Sequence, residues 1–186
     1  MRLKPNTAIL DIETTSLDAD TGYVICIGLM TLNEDKTKTF FAPSPASEKS
    51  VITSFLRTLE KCHVYLTWNG SAFDVPFLTA RALKYSIDFS PLYRRRHVDL
   101  AEVARRTLKL SSYSMWNVCR YLGIEQGPST LNSDIPRLYL GYIRGNRRFR
   151  AEIVRHCLDD LRRTRAVMKR MKSLIHHVHH DLPTLP

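Results

Sequence analysis

At 186 residues the chain is long enough for one domain with a substantial core. Its 28 Lys+Arg against 18 Asp+Glu, a formal +10, point to polyanionic partners, with nucleic acid the commonest and an anionic membrane surface the competitor. No apolar run is long enough to span a bilayer, and no signal-peptide-like stretch opens the chain. The four cysteines, Cys26, Cys62, Cys119 and Cys157, lack C-x-x-C spacing and sit among apolar neighbours, which suits reduced core thiols better than a zinc site or a disulfide framework. A reducing, cytoplasmic location is the expectation.

In chain order, residues 7–12 read as a first strand and residues 14–22 as a polar loop. Residues 24–32 are near-continuously apolar, as in a buried central strand, and residues 37–41 return as the second arm of a hairpin. Val51, Ile52, Phe55, Leu56 and Leu59 recur at helical spacing, and residues 63–68 read as another strand. A helix carrying Phe77, Leu78, Ala80 and Leu83 follows the Asn69-Gly70 turn. Val98-Asp99-Leu100 reads as a short strand or a helix entrance, with Asp99 as a cap or structural residue. Tyr93 to Arg96 reads as a surface loop, and residues 101–110 and 114–122 as short helices. From Ile135 onward the pattern is helical and very basic, and residues 175–186 read as a loosely ordered tail whose four histidines belong to a frayed surface. The expected architecture is α/β, a central mixed β-sheet flanked by helices, in a single domain over residues 1–186.

Three acidic stretches stand out. On a strand, Asp11 and Glu13 point to one face and Ile12 to the other. Two neighbouring carboxylates at the end of an apolar strand repel each other and are costly to desolvate, so a cation should compensate them unless the strand simply ends at the surface. A divalent metal preferring oxygen is the simplest candidate. Asp74, ahead of Val75-Pro76, reads either as the N-cap of the next helix or as a third carboxylate at the same sheet edge. His156 and Asp160 share one helical face, either as a surface pair or as further site residues.

Taken together, D-x-E at Asp11 and Glu13, Asn69-Gly70-Ser71-Ala72-Phe73-Asp74-Val75-Pro76-Phe77-Leu78, and H-x-x-x-D at His156 and Asp160 resemble the three exonuclease motifs of the DEDD superfamily. The resemblance is closest to its uncharacterised ribonuclease H-like branch and spans residues 11 to about 169. It implies a ribonuclease H-like fold and a nuclease that removes nucleotides from the 3′ ends of DNA or RNA. It also implies two divalent cations, Mg²⁺ or Mn²⁺, held by Asp11, Glu13, Asp74 and Asp160. By the same resemblance His156 orients the attacking water, and Thr14, Thr15 and Leu17 contact the terminal nucleotide. Asn69 and Phe73 are further substrate candidates beside the second motif, with core filling the alternative for Phe73. The chain departs from the family at one point. Its His-type members place the histidine five residues before the last Asp, where this chain has Arg155, so the spacing here is that of the Tyr-type members. The rival readings are a catalytically silent nucleic-acid-binding module and a structure-selective endonuclease on the same fold.

Overall fold

The computed structural model describes residues 6–125 and 134–186. Its strands are β1 (Thr7–Thr14), β2 (Val24–Thr31), β3 (Lys36–Phe41), β4 (Val64–Thr67) and β5 (Arg96–Asp99). Its helices are α1 (Glu48–Leu59), α2 (Asp74–Lys84), α3 (Ser90–Arg94), α4 (Leu100–Thr107), α5 (Met115–Tyr121), α6 (Ile135–Ile143), α7 (Arg148–Arg170) and α8 (Lys172–Val178). One sheet runs in the order β3-β2-β1-β4-β5. The hairpins β1–β2 and β2–β3 are antiparallel, whereas β1–β4 and β4–β5 are parallel. The mixed sheet flanked by helices is the expected fold class.

β1 lies at the centre because its residues are apolar on both faces until Asp11. Its register sets Asp11 opposite Gly28 and Glu13 opposite Cys26, and directly opposed residues of an antiparallel pair share a face. Asp11, Glu13, Cys26 and Gly28 therefore stand on one face, and Leu10 and Ile12 on the other with α1 and α2. A bulge interrupts the β1–β2 pairing between Glu13 and Thr14. Gly28 decides how closely α7 approaches. A Cβ there would lie 2.6 Å from Cys157 Sγ and 2.7 Å from Leu161 Cδ1, so the missing side chain lets α7 lie directly over β1 and β2. On the other face, a fully buried Glu48–Arg81 ion pair joins the start of α1 to α2.

One local reading is resolved and two change. Val98-Asp99 ends β5, and Asp99 then caps α4 by accepting from the amides of Ala101 and Glu102, so both readings hold in sequence. Tyr93 to Arg96 is not a surface loop: Tyr93 and Arg94 close α3 and Arg96 opens β5. Its arginines mask an edge element whose inward residues, Leu92 and Val98, are 1% and 0% exposed. The end of the chain, expected to be loosely ordered, forms α8 and buries Ile175, Leu182 and Leu185 in the core under α4 and α7. Their spacing is diluted by the histidines between them.

Candidate active site

The parallel strands β1 and β4 end at the same edge of the sheet, where β4 leads into Trp68 and Asn69. Open α/β sheets bind ligands beyond the carboxyl ends of their parallel strands, and a cleft of about 620 Å³ opens here. β1 brings Asp11 and Glu13 to it, α2 brings Asp74 and α7 brings His156 and Asp160. All five expected catalytic residues thus line one cleft. Asp74 does not cap α2. The helix begins at Asp74 itself, with Phe73 in the cap position and no side-chain cap.

The carboxylates are crowded and poorly hydrated. Glu13 and Asp74 are 6% and 5% exposed, and Asp11 Oδ2 is buried without a hydrogen-bond partner among the described residues. Burial lifts Asp11 well above the usual carboxylate range, and the charges of Glu13, Asp160 and Asp74 lift it further. Burial also raises Glu13, against the hydrogen bond and charge of His156. Asp74 is pushed up to about 7, chiefly by burial, despite hydrogen bonds from backbone amides.

Cationic groups of the chain meet two of these acids. His156 Nδ1 lies 2.6 Å from Glu13 Oε1 and 3.6 Å from Asp160 Oδ2, and Arg163 Nη1 donates to Asp160 Oδ1 at 2.6 Å. Burial pulls the His156 imidazole down, but Glu13 and Asp160 together outweigh it and leave it above its ordinary value. The pairing of His156 with Asp160 suggested by sequence spacing is real, yet the closer partner is Glu13.

Ligand atoms of Glu13, His156 and Asp160 lie within 4.8 Å of one another, as do those of Asp11, Glu13 and Cys157. Cys157 is a poor ligand. A hydrogen bond with Cys26 and burial drive its thiol far up, so it stays protonated. With Cys157 set aside and His156 Nδ1 engaged by Glu13, the donors left are carboxylate oxygens, which suit a hard divalent cation such as Mg²⁺ or Mn²⁺. The unpartnered Asp11 oxygen and the three raised carboxyls are what such a cation would satisfy.

The pH dependence has a definite sign. A carboxyl raised on folding binds its proton more tightly in the folded chain, so its stabilising contribution is lost as pH rises from the ordinary carboxylate range through the folded value. For Asp74 that window runs from 3.8 to about 7. His156 acts in the same direction, its contribution falling as pH rises through a value above 6.5. In EDTA the melting temperature should therefore fall between pH 5 and 8, and added Mg²⁺ or Mn²⁺ should restore it most at the alkaline end. A metal-free melting temperature that stays flat across that range would contradict this picture.

The expected substrate residues divide. Asn69 and Phe73 line the cleft with the carboxylates. Thr14 and Leu17 line an adjoining hollow of about 390 Å³ that shares Ile12, Glu13 and Phe73 with the cleft. Leu17 is 82% exposed there, and Ile135 and Pro136 form part of its apolar wall. Phe73 packs against Phe77 with ring centroids 5.6 Å apart, as the core reading has it, and also lines both hollows. Thr15 lines neither, its hydroxyl accepting the Tyr23 amide at 3.0 Å to shape the loop. The C-terminal histidines join no metal-competent cluster among the described residues. Sequence reasoning overlooked Trp68, Arg105, Tyr113 and Met115, which also line the cleft, and Arg163. For Arg105 a signal existed in its place on the helix capped by Asp99.

Comparison with known proteins bears on the whole arrangement. A family model described as the RNase H superfamily matches residues 8–172. A DNA polymerase of Methanocaldococcus jannaschii is 35% identical over 100 residues, covering 43% of this chain and 6% of the polymerase. The uncharacterized protein YprB of Bacillus subtilis is 31% identical over 147 residues, 76% of this chain and 35% of its own. The family B DNA polymerase of the archaeon Pyrobaculum calidifontis superimposes with a TM-score of 0.77 at 17% identity, over 91% of this chain and 25% of the polymerase. The chain thus spans only a minor part of each of these proteins. Among the described residues, no helix is long and apolar enough to cross a membrane.

Proposed function

Because the chain belongs to the RNase H superfamily, we propose that it is a metal-dependent nuclease of the DEDD type, removing nucleotides from the 3′ end of single-stranded or frayed DNA or RNA. One observation carries this reading: Asp11, Glu13, Asp74 and Asp160 converge from three elements on one cleft, where an Asp11 oxygen is buried without a partner among the described residues. A cluster of that kind is costly unless cations use it. The four carboxylates would hold two divalent cations, which when bound relieve charge on the phosphoryl oxygens, activate water and stabilise the leaving oxygen.

His156 is the proton acceptor in this reading. Glu13 engages its Nδ1, which places the proton on that nitrogen in the neutral tautomer and leaves Nε2 to accept from water. Phe73 and Leu17 would receive the terminal nucleotide in the adjoining hollow, whose lining is largely apolar. Similarity to DNA polymerases supports DNA as a substrate without setting RNA aside. The four free, buried cysteines support a reducing cytoplasmic setting.

The test is an end-labelled oligonucleotide incubated with Mg²⁺ or Mn²⁺. A ladder shortening from the 3′ end is expected, abolished by EDTA and reduced about a hundredfold or more in Asp160→Asn, the scale of a lost charge-stabilising contact. Internal cuts would favour the endonuclease, and tight binding with no cleavage the silent module.

A further inference from the structure

A cleft floored by carboxylates repels the polyanion it is proposed to take, and cations away from the metal site are needed to hold the strand. Apart from His156, one cationic side chain among the described residues lines it: Arg105, exposed in the last turn of α4. Arg105 forms no ion pair among the described residues; its Nη2 instead donates to Asn69 Oδ1 at 2.6 Å. That contact closes a ring. Asp99, 4% exposed, accepts from the Asn69 amide at 2.9 Å and the Ser71 amide at 3.0 Å, and it also caps α4 through the Ala101 amide at 2.9 Å. One buried carboxylate thus fixes both the β4–α2 loop and the start of the helix that carries Arg105. Asn69 holds φ 61° in the left-handed region, which aims its side chain from a backbone that few residues adopt.

We propose that Arg105, positioned by Asn69 and Asp99, binds a backbone phosphate of the substrate strand flanking the bond to be cut. The inference rests on the nuclease reading of the cleft. A guanidinium with one donor committed to an amide oxygen keeps further N–H groups for a phosphate, and the planar fork suits that geometry. Asn69 thereby acts as a positioning residue, in place of the direct nucleotide contact expected from the sequence.

Binding of a labelled single-stranded oligonucleotide in EDTA, measured across a salt series, separates the two readings. Arg105→Ala should weaken binding about tenfold, the scale of one charge-assisted hydrogen bond, with the melting temperature unchanged. It should also flatten the slope of log K against log salt by about 0.7, one single-strand phosphate contact. Arg105→Lys should retain the slope with part of the affinity. Asn69→Gly, which tolerates the positive φ, should keep the slope and lose affinity severalfold. In turnover with Mg²⁺, Arg105→Ala should raise KM with little change in kcat. Neutralising single linkages as methylphosphonates should reveal one position that weakens the wild type and leaves Arg105→Ala indifferent. An unchanged salt slope in Arg105→Ala, with the wild type binding normally, overturns the inference and leaves the nuclease reading intact. A wild-type protein that neither binds the strand in EDTA nor cleaves it with Mg²⁺ or Mn²⁺ overturns both.

Discussion

Asp11→Asn is expected to lower nuclease turnover by about a thousandfold while making the metal-free protein more stable at alkaline pH. The loss follows if Asp11 holds the cations, since their charge stabilisation is worth several kcal/mol and each ~1.4 kcal/mol is a factor of ten. The gain follows from the environment of the side chain. Its Oδ2 is buried without a partner among the described residues, and burial together with Glu13, Asp160 and Asp74 favours the protonated carboxyl. Asparagine mimics that protonated carboxyl, so the two proteins should melt alike at acid pH and diverge as pH rises. A relief of ~1–2 kcal/mol corresponds to a rise of roughly 2–8 °C for a chain of this size. The same variant should lose most of the melting-temperature increase that saturating Mg²⁺ or Mn²⁺ gives the wild type. Calorimetry at several pH values, with and without metal, reads both stability effects, and the end-labelled oligonucleotide assay reads the turnover. An Asp11→Asn protein that melts lower than wild type throughout would mean that the carboxylate is a structural partner instead.

The largest loss of stability is expected far from the chemistry, at Arg81. Its Nε and Nη2 donate to the two oxygens of Glu48 at 2.8 and 2.6 Å, and its Nη1 donates to the Ala19 carbonyl at 2.8 Å. Glu48, wholly buried, also accepts from the Val24 amide and the Tyr85 hydroxyl. Arg81→Met leaves that carboxylate buried with its charge uncompensated, which costs about 3–5 kcal/mol, or roughly 6–20 °C in melting temperature. The double variant Arg81→Met/Glu48→Gln should recover much of the loss, because the penalty comes from the orphaned charge and a pair so close is not additive. If the double variant is as unstable as the single one, the guanidinium matters mainly as a tether for Ala19. Ala19 lies in the loop that presents Leu17, so on the proposed reading the single variant should also weaken binding of an oligonucleotide before it unfolds.

Legibility in the sequence followed the range of the interaction. Asp11 and Glu13 could be read because strand alternation is a local rule and apolar neighbours made the strand unmistakable. Asp74 was found for a motif reason, while its capping reading failed because α2 begins one residue earlier than the Val75-Pro76 pair suggested. The arrival of Asp160 beside them depended on α7 settling over Gly28, and nothing in an ordinary strand glycine announces a helix 129 residues later. The preference of His156 for Glu13 over Asp160 was hidden for the same reason, since helical spacing sees only the neighbour four residues on. Glu48 and Arg81 are 33 residues apart and no motif links them, so their pairing emerges only when two helices share a sheet face. Arg105 was one basic residue among many until Asp99 and Asn69 gave it an address.

The bulge between Glu13 and Thr14 also governs where the chain can change in length. Upstream of it, β1 is held in register on both sides, by β2 and by β4. One residue inserted between Ile9 and Leu10 would exchange the faces of everything beyond it relative to whatever remains paired, sending Ile12 toward α7 and the two acids into the aliphatic layer. Beyond the bulge that parity rule lapses, and residues 15–23 can lengthen or shorten by odd or even steps without moving Asp11 or Glu13. Variation in loop length among relatives should therefore gather after Thr14, and β1 should vary in composition but not in count.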